Sequence, residues 1–163
     1  MAHVSSRIVE VCVYKIVNNK PKYLLLKRAE NDSLYPGIWQ IVTGMAEGDE
    51  NAVTTALREL SEETGFRPER LWVVPFVDVF YSAKSDTVNL TPVFAAEVKE
   101  GNEPKLSDEH QEYSWFSYED AKKRLVWSGQ KNALKNTEKN IIQETEGGRL
   151  AEIKDFTQFE RKL

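Results

Sequence analysis

The chain is short of the residues from which disulfide frameworks, zinc centres and membrane anchors are built. Its 163 residues include one cysteine, Cys12, and two histidines, His3 and His110. A single thiol excludes an internal disulfide, and so few soft or imidazole ligands argue against structural zinc. No apolar run approaches the roughly 18 residues that a membrane-spanning helix needs. The first residues, MAHVSSRIVEV, have neither a basic start nor an apolar core, so no secretory signal is expected. No basic stripe of the kind that tracks a nucleic-acid backbone is present either. The AKKRL run at 121–125 is more simply the solvated face of a helix. These absences predict a soluble protein of a reducing cytoplasm, monomer or homodimer, with no nucleic-acid or membrane partner.

What is present is one ordinary domain's worth of chain, 40% hydrophobic and 29% charged, which is a globular composition. The net charge of −4 is small but unevenly placed. Residues 47–63 hold six acids (Glu47, Asp49, Glu50, Glu59, Glu62, Glu63) against one base, Arg58. The acidity belongs to that segment alone.

Alternation and β-branched content predict strands at 7–17 and 23–28, joined by a turn at NNKPK. A short strand, IWQIV, follows the NDSLYPG loop. Residues 50–64 have helical periodicity, with Asp49 placed to cap the start and Gly65 to end it ahead of Pro68. Long strands are predicted at 71–81 and 87–98, a short one at 112–116, then two helices, the first capped by Ser117. The order β-β-β-α-β-β-β-α-α makes an α/β protein with helices on both faces of one mixed sheet. Residues 1–146 are expected to form the domain, and 147–163 a tail that packs back or joins an interface.

On the helix, Glu59, Glu62 and Glu63 are spaced i, i+3, i+4, so their carboxylates share one stripe. Ala52, Val53, Ala56, Leu57 and Leu60 form an adjoining apolar stripe that can pack on a sheet. An acidic helix made only for solubility usually carries a base four residues after each glutamate. Here those positions hold Glu63, Phe66 and Arg67, the last beyond the helix end. A hard divalent cation taken by carboxylate oxygens would relieve the repulsion, and Mg²⁺ is the ordinary candidate.

The segment resembles the Nudix box, G-x5-E-x7-R-E-U-x-E-E-x-G-U with U a bulky apolar residue. Gly44, Glu50, Arg58, Glu59, Leu60, Glu62, Glu63, Gly65 and Phe66 match it at every defined position. With average residue frequencies, a chance match has a probability on the order of one in ten million. The resemblance implies an α/β/α sandwich and a hydrolase that cleaves a nucleoside diphosphate linked to another group. The cofactor implied is Mg²⁺, with Mn²⁺ as an alternative, and the partner a small nucleotide. It further implies that Glu59, Glu62 and Glu63 are metal ligands, one of them helping to deprotonate water. Glu50 and Arg58 correspond to a supporting pair, and Gly44 to the start of a loop whose backbone carbonyl reaches the metal. One departure stands upstream: many members read P-G-x-W-x-x-P-G-G, whereas PGIWQIVTG has Val42-Thr43 in place of the second Pro-Gly.

For substrate, WQIVTG, DEHQEYSWFSYEDAKK and VWSGQKNAL look like the branch described as dATP or dihydroneopterin triphosphate pyrophosphohydrolases. A rival branch, the dinucleoside tetraphosphate hydrolases, shares the pattern of EHQEYSW and a tyrosine spaced like Tyr81. A non-catalytic Nudix module would be expected to lack one of the glutamates, and none is missing. Glu109 is a candidate further ligand or base, and His110 a phosphate contact or proton carrier. Arg28, or Lys27, is placed to face phosphate, while Trp39, Tyr35 and Tyr81 could stack on a base. Local structural roles compete at each: a loop glutamate, a satisfied histidine, a solvated strand end, a core tryptophan. Trp72, Trp115 and Trp127 are assigned to the core.

Overall fold

A computed structural model describes residues 1–160. In chain order the strands are β1 (His3–Ser5), β2 (Ile8–Val17), β3 (Lys20–Arg28), β4 (Trp39–Gln40), β5 (Val42–Met45), β6 (Arg70–Ser82), β7 (Thr87–Glu97) and β8 (His110–Phe116). The helices are α1 (Ala52–Thr64), α2 (Tyr118–Arg124), α3 (Ser128–Thr137) and α4 (Glu146–Leu150). A π-helical turn, Glu138–Ile142, continues α3, and a 3₁₀ turn covers Thr157–Phe159. No helix among the described residues is long and apolar enough to cross a membrane.

The hairpin of β2 and β3 turns on Asn18 and Asn19, both at positive φ (50° and 60°). Asparagine tolerates that region, and two such residues in a row give the twist a tight hairpin needs. The strands pair from Tyr14↔Tyr23 to Val17↔Lys20 and then part. Into the opening go β4, against Leu26 and Lys27, and β5, against Ile8 to Val11. The single strand expected at 38–42 therefore breaks at Ile41, where the chain changes partner from β3 to β2. Strand β7 lies parallel to β2, with β6 antiparallel on its far side, while β8 closes the other side of β3. The three-residue β1, with no apolar alternation to announce it, joins the start of β7.

Alternation along β2 divides the core in two. Val9, Val11 and Val13 face α1 with Leu24, Leu26, Leu57 and Leu60. Cys12 and Tyr14 face α2 and α3 with Tyr23, Leu25, Ala121, Leu125 and Leu134. The sheet is thus sandwiched between helices, an α/β/α arrangement. Helix α1 starts later than expected: Asn51, not Asp49, is its cap, accepting from the Thr54 amide at 3.0 Å. Its end is as expected, with Gly65 at φ 73° and its amide on Ser61 O. Beyond α4 the chain returns to the domain: Phe156 is buried and the Phe159 carbonyl accepts from Thr54 Oγ1 at 2.9 Å. Trp127 departs from its core assignment, at 41% exposure, because it stands just before the first turn of α3 at the surface.

Candidate active site

The loop between β5 and α1 is folded around one carboxylate. Glu50 accepts from the Glu47 amide at 2.9 Å, from Thr55 Oγ1 at 3.2 Å and from Arg58 Nε at 3.0 Å. Arg58 spends its remaining donors on Glu59 (2.8 Å), Glu62 (3.0 Å) and the Met45 carbonyl (2.8 Å). The expectation that the protein leaves the glutamates mostly uncompensated is corrected here. The compensating base lies before them in the chain, the weaker order for an i,i+4 pair. It succeeds because a planar guanidinium fork can serve several carboxylates at once.

Gly44 pairs with Val9 in the sheet and lies directly under Glu59. A Cβ at residue 44 would stand 1.9 Å from the Glu59 carboxyl carbon, so any side chain there displaces the glutamate. Gly44→Ala should leave the fold intact, since the atoms in the way belong to the flexible Glu59 side chain, which can swing aside, yet cut turnover by about tenfold to a hundredfold. Steady-state kinetics beside a melting curve checks this; an alanine enzyme of full activity would show that the Glu59 position is immaterial.

Glu63 is the anomaly of the helix. It is only 2% exposed, and its Oε2 has no hydrogen-bond partner among the described residues. Burial pushes it up to about 9, and the charges of Glu59 and Glu109 add to the shift. Arg28 and the Thr43 amide oppose it without prevailing. Arg28 itself pairs with Asp32 at 2.5 Å, keeps a buried Nε without a partner, and lies across the sheet from His110. His110 is buried against Gln40 at 2.9 Å, and its Nδ1 has no hydrogen-bond partner among the described residues. Desolvation, then Arg28, hold it down at about 4, so it is neutral at physiological pH. Glu109, next in the chain, is anchored by its carbonyl to the Ala29 amide at 3.0 Å.

Among the described residues no three His, Cys, Asp or Glu groups form a ready-made metal cage. The donor set nevertheless fits a hard cation. It offers an orphaned carboxylate oxygen on Glu63, two carboxylates paired with Arg58, and a glycine kept open beneath one of them. A divalent ion would supply the counter-charge that Glu63 lacks, and oxygen-only ligation suits Mg²⁺.

Residues 6–137 match the NUDIX domain. The chain belongs to the Nudix family. Among curated relatives it is 34% identical over 110 residues to the asymmetrical bis(5'-nucleosyl)-tetraphosphatase of Mus musculus, covering 66% of this chain and 71% of that one. It is 30% identical over 136 residues to an octanoyltransferase of Myxococcus xanthus; the match takes in 79% of this chain but spans only 36% of that longer protein. A C. elegans Ap4A hydrolase complex superimposes with a TM-score of 0.71 at 21% identity, over 83% of this chain and 96% of that one. The E. coli dihydroneopterin triphosphate pyrophosphohydrolase gives 0.69 at 22% identity, over 88% and 99%. These two likenesses establish the shared fold.

Within this Nudix domain, Glu50, Arg58, Glu59 and Glu62 form one connected network. Arg28, Glu59 and Glu109 surround Glu63 closely enough to shift it, and His110 lies beside Arg28. Trp39 and Tyr81 are placed elsewhere. Trp39 packs edge-on to Phe116 at 5.4 Å, whereas Tyr81, on the exposed end of β6, donates to Asp86 at 2.9 Å. Lys27 pairs loosely with Glu112 at 3.7 Å. Two residues not singled out in the sequence also belong here: Asp32, four residues beyond its partner Arg28, and Gln40, whose contact with His110 depends on a chain crossing. Sequence reading passed over Glu10 and Asp78 as well, each a lone acid in an apolar strand run (IVEVCV, PFVDVF), which is a readable signal of a buried charge.

Proposed function

We propose that this chain is a divalent-metal-dependent pyrophosphohydrolase that cleaves a phosphoanhydride of a nucleoside triphosphate or related nucleotide. The observation that carries the reading is the Glu63 carboxylate, buried beside Arg28 within an intact Nudix box, with one oxygen that has no hydrogen-bond partner among the described residues. Mg²⁺, or Mn²⁺, when bound neutralises phosphate charge that grows in the transition state and makes water a better nucleophile. Glu59, Glu62 and Glu63 would hold it, with the Gly44 carbonyl and Glu109 as further oxygen donors. Arg58 and Glu50 keep Glu59 and Glu62 aligned. Arg28 offers its free Nε–H to a phosphate oxygen, and neutral His110 can accept or relay a proton but adds no charge. The protein's place in a reducing cytoplasm, as monomer or homodimer, belongs to the same proposal.

Identity to the mouse tetraphosphatase favours a second reading, a dinucleoside tetraphosphate as substrate. Comparing kcat/KM on dATP, dihydroneopterin triphosphate and diadenosine tetraphosphate with Mg²⁺ separates the two. No turnover on any phosphoanhydride would end both. Glu62→Gln, at a half-exposed carboxylate (56%), should keep the melting temperature within a degree or two while activity drops by at least about tenfold.

A further inference from the structure

The face of the sheet that carries α1 is only partly roofed. Phe94 and Ala96 of β7 are buried in the core beneath that helix. The positions before them on the same face are Pro92, Leu90 and Val88. Directly opposite these in β6 stand Val77, Val79 and Tyr81, so all six side chains project from one side of an antiparallel ribbon. Val4 of β1 extends the surface, in register with Val88. Val4, Val77, Val79, Tyr81 and Leu90 are each between 38% and 69% exposed. The ribbon reaches past the helix because β6 and β7 are the longest strands, 13 and 11 residues. None of these positions is charged, and the one polar group, the Tyr81 hydroxyl, is turned to Asp86. The other face of the ribbon is closed, with Asp78 packed against Gly129 of α3. A strand face left to water ordinarily carries polar residues. Here it carries valine, leucine and tyrosine.

We propose that this face is where two copies of the chain meet, their β6–β7 ribbons packed face to face about a two-fold axis. Single exposed apolar residues need no explanation, but a contiguous set of them does. The five most exposed side chains together present on the order of 500 Å² per copy, so a pair buries about 1,000 Å² before any polar rim is counted, which is the threshold of a specific interface. The shape suits a second copy. Two-stranded ribbons of β-branched residues stack as sheets do, about 10 Å apart with side chains interdigitated. A two-fold contact uses one patch twice, so self-complementarity is all that it requires. Charge points the same way: the chain carries −4, and a face free of charge lets two acidic copies approach at small electrostatic cost. The same neutrality leaves nothing to steer a different protein onto it, and no lysine or arginine for an anionic bilayer. Of the monomer and the homodimer named above, the dimer and its face are thereby chosen, independently of the nucleotide reading.

Sedimentation velocity on the full chain tests this. The wild type should sediment as two chains and dissociate on dilution, with a Kd on the order of 10 µM for an interface of this size. Val79→Lys and Leu90→Lys should each weaken the dimer by at least about a hundredfold, because either sets an unpaired charge in an apolar contact. Both positions are at the surface, so circular dichroism and melting curves should show folded variants. Val126→Lys, at a comparably exposed valine (52%) between α2 and α3, should leave the dimer as it was. A wild type that remains a single chain at about 100 µM would overturn the proposal, whether the face then takes up phosphatidylserine vesicles, another protein or nothing. A dimer that both β6–β7 lysine variants leave intact, or that Val126→Lys breaks to the same degree, would overturn it too.

Discussion

Glu63→Gln is expected to lower Mg²⁺-dependent turnover by about a hundredfold to a thousandfold and, without metal, to raise the melting temperature. The two effects share one cause. The carboxylate is buried with an oxygen that has no partner among the described residues, so its negative charge is costly in the folded protein and, on the proposed function, is offset only by a bound cation. In the fold its pKa is raised from 4.5 to about 9. Between those values the native protein keeps a proton that the unfolded chain has released. The stabilisation is therefore complete below about 4.5 and lost as pH rises toward 9, on the order of a few kcal/mol in all. Glu10, raised to about 8, adds a slope of the same sign. His110, depressed to about 4 from 6.5, opposes both within that lower window, because there the unfolded chain binds the extra proton. Above pH 6.5 the carboxyls act together, joined toward pH 9 by the buried Cys12 thiol, whose raised pKa gives a slope of the same sign. Calorimetry in EDTA should show wild-type stability falling from pH 6.5 to 9, and the glutamine variant falling much less. Added Mg²⁺ should stabilise the wild type more than the variant, since a ligand of the native state shifts stability by mass action. Parallel pH slopes for the two proteins would show that the Glu63 charge is not the strained one.

Replacing Arg58 with methionine should be the most damaging single change to the fold of the site. Arg58 and Glu50 have side chains only 9% and 4% exposed, and the arginine also holds Glu59, Glu62 and the Met45 carbonyl. Removing one member of a buried pair leaves the other charged and unpaired, a loss of about 3–5 kcal/mol. For a domain of this size that lowers the melting temperature by roughly 6–20 °C. Activity should fall with it even where the protein remains folded, because Glu59 and Glu62 then repel each other with nothing between them. The double variant Arg58→Met, Glu50→Met should recover part of the stability and none of the activity, as two apolar groups leave no orphaned charge. A double variant no more stable than Arg58→Met would mean that the carboxylates of α1, rather than Glu50, depend on the arginine. Thermal melts and kinetics on the three variants decide it.

These residues show where sequence was sufficient. Spacing alone put Glu59, Glu62 and Glu63 on one stripe, because helix geometry is local and i, i+3, i+4 leaves little freedom. It equally placed the end of α1 at Gly65 and a turn within NNKPK between the first two long strands, though the second strand starts earlier, at Lys20. The full box, from Gly44 to Phe66, named the family for the same reason: its constraints fall within 23 consecutive residues. Local rules failed where a residue's partner is distant or lies on the unexpected side. Arg58 was passed over as the counter-charge because it precedes its glutamates. Asp49 is expected to cap α1, yet Asn51 does so, because the Glu50 carboxylate gathers the loop ahead of the helix.

What the sequence by itself determined is the fold class, the helix with its acidic stripe and the family, all properties of short-range pattern. What only the tertiary structure decided is which acids are buried, which are paired and which stand alone. Glu59, Glu62 and Glu63 are the same residue in adjacent turns, yet Glu62 is half-exposed and paired with Arg58 while Glu63 is buried. Glu10 and Asp78, 68 residues apart in the chain, meet only because β7 lies parallel to β2 and antiparallel to β6. The energy of a carboxylate depends on the dielectric and the charges around it, and those are set by chain segments that meet only when the sheet is complete.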